Sequence, residues 1–194
     1  MPRPKRYYDE ESRYVFVTSK TFRNAKIFND PTKAALLLNC INYQVKEKYI
    51  NLFAWVIMPD HFHLLVAVIG KKNISQIMQS IKGNFSWMLN QDYGIGIAHA
   101  RKHELRWGGK NKSQTEKHIS LTADQAFEPD HHKKMHGHKI WQTSFHDHVI
   151  RNQTDFNRHI EYIHHNPVKH SLVEYPSKWK WSGFNKHLKL GLID

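Results

Sequence analysis

Cysteine is almost absent from this chain of 194 residues, in which Cys40 stands alone. A single thiol excludes both an internal disulfide and a zinc cluster built from thiolates. This scarcity indicates a reducing compartment. Long apolar runs are missing as well, since no stretch approaches the roughly 20 residues that span a bilayer. The opening Met-Pro-Arg-Pro-Lys-Arg also lacks the apolar core of a secretory signal, so we expect a cytoplasmic protein that makes no membrane contact.

Acidic residues are few relative to basic ones. The 17 Asp and Glu stand against 29 Lys and Arg, and the formal charge is +12 with the histidines neutral. This excess favours a polyanionic partner, for which nucleic acid is the first candidate, although a merely soluble basic protein would show the same balance. At this length we expect one domain that covers residues 1–194.

The pattern of apolar residues predicts alternating strands and helices. β-branched and aromatic runs indicate strands, and apolar residues at three- and four-residue steps indicate amphipathic helices. The predicted order is a strand at 14–20, a helix at 31–49, paired strands at 52–58 and 61–69, a helix from 74 to at least 88, a strand region at 140–150 and a last helix that Pro167 ends at Asn166.

This order predicts an α+β fold, a ferredoxin-like antiparallel sheet with helices packed on one face. Between about residues 93 and 139 the periodicity fails, and Gly, Lys, Asn, Ser and His accumulate there. We interpret this segment as a long insertion. A C-terminal tail at about 171–194, with Trp179, Trp181 and Phe184, is expected to pack back on the domain.

Two histidines, His61 and His63, lie on one predicted strand. Because side chains alternate along a strand, both imidazoles project from one face and Phe62 from the other. Such a pair can chelate a divalent ion without moving the backbone. In a chain with 16 histidines, two strand histidines without a ligand role remain an equally acceptable interpretation of this spacing alone.

The last predicted helix carries Tyr162 and Asn166, which lie about 40° apart around its axis. Both flank its apolar stripe, where the strand histidines can meet them. The amide oxygen of Asn166 is a candidate third ligand, with His164 as a substitute, whereas His165 falls on the far side and is expected to face solvent. A free phenol, with a pKa of about 10, is a poor nucleophile, so attack by Tyr162 on a phosphodiester requires a metal ion. A packing tyrosine is the alternative.

Two segments make the chain resemble a known family: Trp-Val-Ile-Met-Pro-Asp-His-Phe-His-Leu-Leu at 55–65 and Glu-Tyr-Ile-His-His-Asn-Pro-Val-Lys-His at 161–170. Together they resemble the REP-associated tyrosine transposases of the HUH, single-tyrosine superfamily. The resemblance also takes in Arg6-Tyr7-Tyr8, Lys82-Gly83, Ile140-Trp141-Gln142 and Trp179-Lys180-Trp181-Ser182. Only the insertion lies clearly outside it.

The resemblance implies a metal-dependent single-strand DNA endonuclease and strand transferase. It makes His61 and His63 ligands of Mg²⁺ or Mn²⁺, Asn166 the third ligand, and Tyr162 the nucleophile that keeps the 5′ phosphate. The implied substrate is a repetitive extragenic palindrome, a DNA hairpin beside a short single-stranded guide sequence. A monomer and a homodimer are both compatible with it, and so is an association with the bacterial nucleoid. The insertion leaves the DNA specificity open.

Further basic and aromatic residues are candidate DNA contacts. Ordinary packing is the alternative for each aromatic. The candidates are Arg6, Tyr7, Tyr8, Lys82, Arg151, Arg158, Lys169, Trp179 and Trp181, and the histidine-rich run at 131–138 is interpreted as a solvated or phosphate-contacting loop.

Two other functions are alternatives to this one. A DNA-binding module that recognises palindromic repeats without cleaving them would bind tightly in the presence of any metal and form no adduct. A metal-dependent hydrolase of small substrates would use water as its nucleophile. The His-x-His and Tyr-x-x-x-Asn sets argue against the first, and the positive charge argues against the second.

Overall fold

In the computed structural model of the chain, the described residues are 14–94 and 139–185, with side chains described in 14–90 and 139–185. The chain divides into two units, residues 1–85 with 139–194 and residues 86–138. Of the second unit only 86–94 are described, and they are helical. The predicted insertion therefore lies almost entirely outside the described residues, and its extent remains a prediction.

The described elements follow the predicted order. They are β1 (Tyr14–Lys20), α1 (Pro31–Lys46), β2 (Ile50–Ile57), β3 (His61–Val68), α2 (Ile74–Gly94), β4 (His146–Val149) and α3 (Gln153–Lys169), with short 3₁₀ turns at 22–24, 27–29 and 176–178. The strands form a four-stranded sheet in the order β2-β3-β1-β4, and each neighbouring pair is antiparallel. This confirms the predicted α+β, ferredoxin-like architecture.

Both faces of the sheet are apolar, and each is covered by helices. On one face Phe62 contacts Trp141, which contacts Phe85 of α2, and α1 is joined to α2 by a hydrogen bond from Gln44 to Ser80. On the opposite face a buried cluster unites β1, β2 and β3 with α3: Phe16, Ala54, Val56, Met58, Leu65 and Ile163. The prediction of helices on one face therefore holds for α1 and α2, but α3 covers the other face, because alternation gives the sheet a second apolar surface.

Two helix ends differ from the predicted ones. α1 ends at Lys46 and not at Tyr49, because Lys48 adopts a left-handed conformation with φ of 54°, which a helix cannot continue. α3 runs through Pro167 to Lys169, although we expected it to end at Asn166. A proline removes one backbone hydrogen bond and crowds the preceding turn. Because Pro167 lies close to the end of α3, only the last turn of the helix depends on the hydrogen bond that the proline removes.

The described part of the tail, which ends at residue 185, packs on the domain. The Trp179 indole Nε1 donates to the Ile57 carbonyl at 3.0 Å. Residues 181–183 then lie along β2, where Ile57 N donates to the Trp181 carbonyl at 2.8 Å and Gly183 N donates to the Trp55 carbonyl at 2.9 Å. The tail thus covers part of an edge strand whose backbone groups would otherwise be unpaired. Among the described residues, no helix is both long enough and apolar enough to cross a membrane.

Candidate active site

The two histidines of β3 lie together on the face that α3 covers. His61 is 8% exposed and His63 is 3% exposed, and their ring centroids are 4.9 Å apart. Phe62, between them in sequence, is fully buried on the other face. The alternation predicted from the sequence therefore places both imidazoles at one location.

Each imidazole is held through its Nδ1 atom. His61 Nδ1 lies 2.6 Å from Asp60 Oδ1, and His63 Nδ1 lies 2.7 Å from Thr18 Oγ1. A neutral imidazole that donates from Nδ1 has its lone pair on Nε2. Asp60 and Thr18 thereby orient two Nε2 atoms as potential metal ligands, an arrangement in which outer groups fix the tautomer of each ligand.

Burial keeps both imidazoles neutral. It lowers the pKa of His61, although the Asp60 carboxylate partly opposes this. It lowers the pKa of His63 well below the usual 6.5, and the nearby His61, His170 and Lys20 act in the same direction. Neutral imidazole is the form that binds a metal ion, so near pH 7 no proton has to be displaced from either ring nitrogen that faces the site.

Tyr162 lies beside this pair. Its ring centroid is 5.3 Å from that of His63 and 5.8 Å from that of Phe16, both in edge-to-face contact. The residue is 39% exposed, and Lys169 Nζ lies 5.4 Å from the ring centroid. The phenol is therefore neither enclosed in the core nor turned to the far side of the sheet, and a substrate can reach it.

Asn166, one turn after Tyr162, completes the cluster. It is fully buried, and its Nδ2 lies 3.4 Å from His63 Nε2, while Oδ1 is buried without a hydrogen-bond partner among the described residues. Exchanging the amide oxygen and nitrogen leaves the shape of the side chain unchanged and turns Oδ1 towards His63. Two imidazoles and an amide oxygen then form a set of donors that suits Mn²⁺ well and Mg²⁺ moderately.

His164 and His165, which precede Asn166 on α3, are placed differently from it. His164 is buried, and its ring contacts Phe184 of the tail at 5.3 Å. His165 is exposed, as predicted. Asn166 is not turned away from the pair, so the condition under which His164 would replace it as a ligand is not met.

Sequence reasoning missed His170 and Thr18. The His170 ring centroid lies 5.8 Å from that of His61, because α3 continues past Pro167 and brings its C-cap residue back to the site. The predicted end of the helix at Asn166 therefore gave no indication that His170 lies near His61. Thr18 faces His63 across the ladder of β1 and β3, and only the strand register reveals it.

The candidate DNA contacts fall into three groups. Arg151, Arg158 and Lys169 are exposed. Lys82 donates from Nζ to the Gln142 carbonyl at 3.0 Å, and burial lowers its pKa. Lys82 and Trp179 thus both make hydrogen bonds within the protein. Trp181 is half-buried, with the Lys180 ammonium group over its ring. Arg6, Tyr7, Tyr8 and the run at 131–138 lie outside the described residues. DNA contact by any of them remains a prediction.

The antiparallel sheet, the buried His-x-His pair and the helix-borne tyrosine are the features that the resemblance to tyrosine transposases implies. A family model described as "Transposase IS200 like" matches residues 9–115, and the chain belongs to this family. It is 25% identical over 189 residues to the REP-associated tyrosine transposase of Escherichia coli (strain K12), across 97% of this chain and 86% of that protein. The predicted resemblance to the REP-associated branch is thereby confirmed.

Two further comparisons also match this chain to proteins of this kind. A Haemophilus influenzae protein, provisionally given the same name, is 29% identical over 133 residues, which cover 69% of this chain and 58% of that protein. A solved structure of a REP-associated tyrosine transposase bound to a REP hairpin shares the fold, with a TM-score of 0.67 and 23% identity, over all of this chain and 89% of that one.

The hydrogen bond between Thr18 and His63 provides a first test of the site. We expect Thr18→Val to weaken Mn²⁺ binding by about 10- to 100-fold, because loss of a group that orients a metal ligand typically has an effect of this size. Thr18→Ser keeps the hydroxyl and is the matched control. Titration of Mn²⁺ followed by electron paramagnetic resonance measures the affinities, and equal affinities for the valine and serine variants would contradict the assigned role.

The burial of His63 predicts a pH dependence of stability in the metal-free protein. Since folding lowers the pKa of His63, the unfolded chain binds more protons at acid pH. The free energy of unfolding should therefore fall below about pH 6.5, with a contribution from His63 that approaches about 1.4 kcal/mol per pH unit. Urea unfolding with a chelator, between pH 7.5 and 5, should show a shallower dependence for His63→Gln than for wild type. His165→Gln is the exposed control, and equal slopes for all three proteins would refute the prediction.

Proposed function

We propose that this protein is a metal-dependent single-strand DNA endonuclease and strand transferase that acts at REP-type hairpins through a 5′-phosphotyrosine. The observation that carries the proposal is the contact between the exposed phenol of Tyr162 and the ring of His63, which belongs to a buried pair of neutral histidines. Membership of a transposase family supports the reaction. The Escherichia coli relative supports the substrate class, because that protein is named for its REP elements.

In this proposal the residues divide the chemistry between them. Mn²⁺ or Mg²⁺, held by His61, His63 and Asn166, would polarise the scissile phosphate and offset its developing charge. Asp60 and Thr18 keep the two imidazoles in the tautomer that leaves Nε2 available. Tyr162 remains accessible to solvent, so its phenolic oxygen can approach phosphorus on the side opposite the leaving group.

The covalent step balances as a transesterification. The Tyr162 oxygen forms a bond to phosphorus and loses its proton to solvent, while the bond from phosphorus to the 3′ oxygen breaks and that oxygen takes up a proton. The products are a 5′-phosphotyrosine and a free 3′ hydroxyl. Attack by another 3′ hydroxyl on the phosphotyrosine reverses the step and joins two strands, which is the transferase half of the reaction.

Positive charge near the phenol favours a bound phosphate. Lys169 is exposed with its Nζ 5.4 Å from the Tyr162 ring centroid, so it can pair with the phosphate that Tyr162 attacks. Arg151 and Arg158 are exposed at the start and on the second turn of α3 and are proposed to contact the DNA backbone further along. The protein is proposed to carry out this reaction on chromosomal DNA in the cytoplasm, as a monomer or a homodimer.

A hairpin oligonucleotide with a single-stranded flank tests the reaction. One sample is labelled on the 5′ side and another on the 3′ side of the expected cut. With Mn²⁺, only the 3′-side label should remain on the protein after denaturation, and peptide mapping should place it on Tyr162. Tyr175, which is 55% exposed and outside the site, is the internal control. An adduct at another tyrosine, or tight hairpin binding with no adduct in the presence of either metal, would overturn the proposal in favour of another nucleophile or an inactive binding module.

A further inference from the structure

A second group of potential metal ligands lies on the α3 face of the sheet. His148 of β4, with Asp155 and His159 of α3, each offer one nitrogen or oxygen atom, and these three atoms all lie within 4.8 Å of one another. His148 Nε2 is 2.9 Å from Asp155 Oδ2, and His159 Nδ1 is 3.2 Å from Asp155 Oδ1. All three side chains are partly buried, with 16% to 29% of each exposed, so an ion could enter from solvent.

These separations suit a transition metal. Bonds of about 2.0–2.2 Å to nitrogen and oxygen place the ligand atoms of a tetrahedral zinc site about 3.3 Å apart. His148 Nε2 lies 2.9 Å from one carboxylate oxygen of Asp155, and His159 Nδ1 lies 3.2 Å from the other. One ligand atom from each residue lies within 4.8 Å of the other two, so rotations of the three side chains would bring them to these separations. Two imidazoles and one carboxylate are a common set for zinc that keeps a fourth position open. Harder ions such as Mg²⁺ prefer oxygen ligands.

The backbone around the cluster is well fixed. Asn152 caps α3 by accepting from Asp155 N at 2.9 Å, and Asp155 Oδ2 also accepts from Arg151 N at 3.1 Å. The rings of His148 and His159 are stacked with centroids 4.9 Å apart. Without an ion, the Asp155 carboxylate accepts a hydrogen bond from His148 Nε2 at 2.9 Å, and the Asp155 backbone carbonyl accepts one from His159 Nδ1 at 2.8 Å. Metal binding would require the nitrogen of each ring that faces Asp155 to present a lone pair, so the ring proton would lie on the other nitrogen.

The cluster shares no residue with the site around His61 and His63. The ring of Phe16 lies between the two, with its centroid 4.6 Å from that of His159 and 5.3 Å from that of His63. An apolar ring in this position keeps the two groups of ligands apart, so one ion cannot be shared by both. The two clusters are therefore separate candidate sites.

We propose that His148, Asp155 and His159 form a second metal site that binds Zn²⁺ or a similar borderline transition-metal ion. The ion would fasten edge strand β4 to the first turns of α3. Tyr162 follows His159 by three residues on the same helix, so the site anchors the helix that carries the phenol without contacting the phenol. With three protein ligands, the fourth position of the ion would be left to solvent, and the site is independent of the chemistry proposed for Tyr162.

Zn²⁺ titration calorimetry tests the site in a full-length background. The histidine-rich run would bind zinc as well, so His131, His132, His136 and His138 are changed to Gln in every sample, and no histidine tag is used. The background chain should bind two Zn²⁺ tightly. His61→Gln/His63→Gln should leave one, His148→Gln/His159→Gln should leave one, and the combination of both pairs should leave none. A single ion that is lost only with His61 and His63 would overturn the proposal.

Thermal unfolding guards against a folding defect in the variant. In the His61→Gln/His63→Gln protein, Zn²⁺ at about 100 times its dissociation constant should raise Tm by about 5–10 °C. The additional change His148→Gln should abolish this rise, whereas Gln153→Ala, at an exposed position on the same turn of α3, should leave it intact. The absence of a rise before His148 is changed would refute the second site. Neither measurement depends on DNA cleavage, so failure here leaves the proposed function untouched.

Discussion

Replacing Tyr162 by phenylalanine is expected to reduce formation of the covalent protein–DNA adduct by at least about 1000-fold. In the proposed reaction the phenolic oxygen forms the new bond to phosphorus, and loss of a nucleophile typically costs several orders of magnitude. Hairpin affinity should stay within about twofold. The free energy of unfolding should stay within about 0.5 kcal/mol, because the residue is substantially exposed and surface changes of this kind are usually small.

The measurement is a denaturing gel of labelled hairpin with Mn²⁺, accompanied by a binding titration in a chelator. Tyr175→Phe removes an exposed hydroxyl outside the site and should retain full adduct formation. An unchanged adduct yield in Tyr162→Phe would reject Tyr162 as the nucleophile. A parallel loss of hairpin binding would instead identify it as a DNA contact.

The second large effect is expected for His63. His63→Gln should lower Mn²⁺ affinity at the catalytic site by at least about 100-fold, which exceeds the effect of losing an outer-shell partner. At a Mn²⁺ concentration that half-saturates the wild type it should reduce adduct formation by at least about 50-fold, because the occupancy of the site falls from one half to about one hundredth and, in the proposed reaction, the bound ion polarises the scissile phosphate. The ring of His63 contacts that of Tyr162, but the substitution leaves the phenol itself in place.

His165→Gln is the matched control, since His165 is exposed and lies on the same helix as Tyr162. It should leave both Mn²⁺ affinity and adduct formation unchanged. Circular dichroism should confirm that His63→Gln is folded. Full adduct formation by folded His63→Gln at the half-saturating concentration would show that His63 is not a ligand that the reaction needs.

Most of the fold could be predicted from local patterns. β1 was placed at its observed bounds, because Tyr-Val-Phe-Val-Thr is a strong strand signal, and Pro59-Asp60 located the turn between β2 and β3. The end of α1 was missed because the left-handed conformation at Lys48 has no signature in a lysine. The position of α3 on the opposite face was missed because periodicity shows which side of a helix is apolar but not which face of a sheet it covers.

Part of the candidate site could likewise be predicted from local sequence patterns, and part could not. The side of β3 on which His61 and His63 lie follows from alternation, and the closeness of Tyr162 and Asn166 follows from helical spacing. The contacts of Thr18 and His148 follow from the register of the strands. The position of His170 beside His61 follows from a helix that continues through Pro167. Contacts of this kind join residues far apart in sequence, so the pattern of any one segment cannot reveal them.

The number of residues in α3 constrains the geometry of the site more than the identity of most of those residues does. His159, Tyr162, Asn166 and His170 follow one another at intervals of three, four and four residues along this one helix and its cap. Insertion of one residue after Ile160 would rotate everything beyond it by about 100°, carrying the phenol and the amide away from β3 while His159 stayed in place. Related chains that use the same arrangement should therefore tolerate substitution on the solvent side of this helix far better than any change in its residue count.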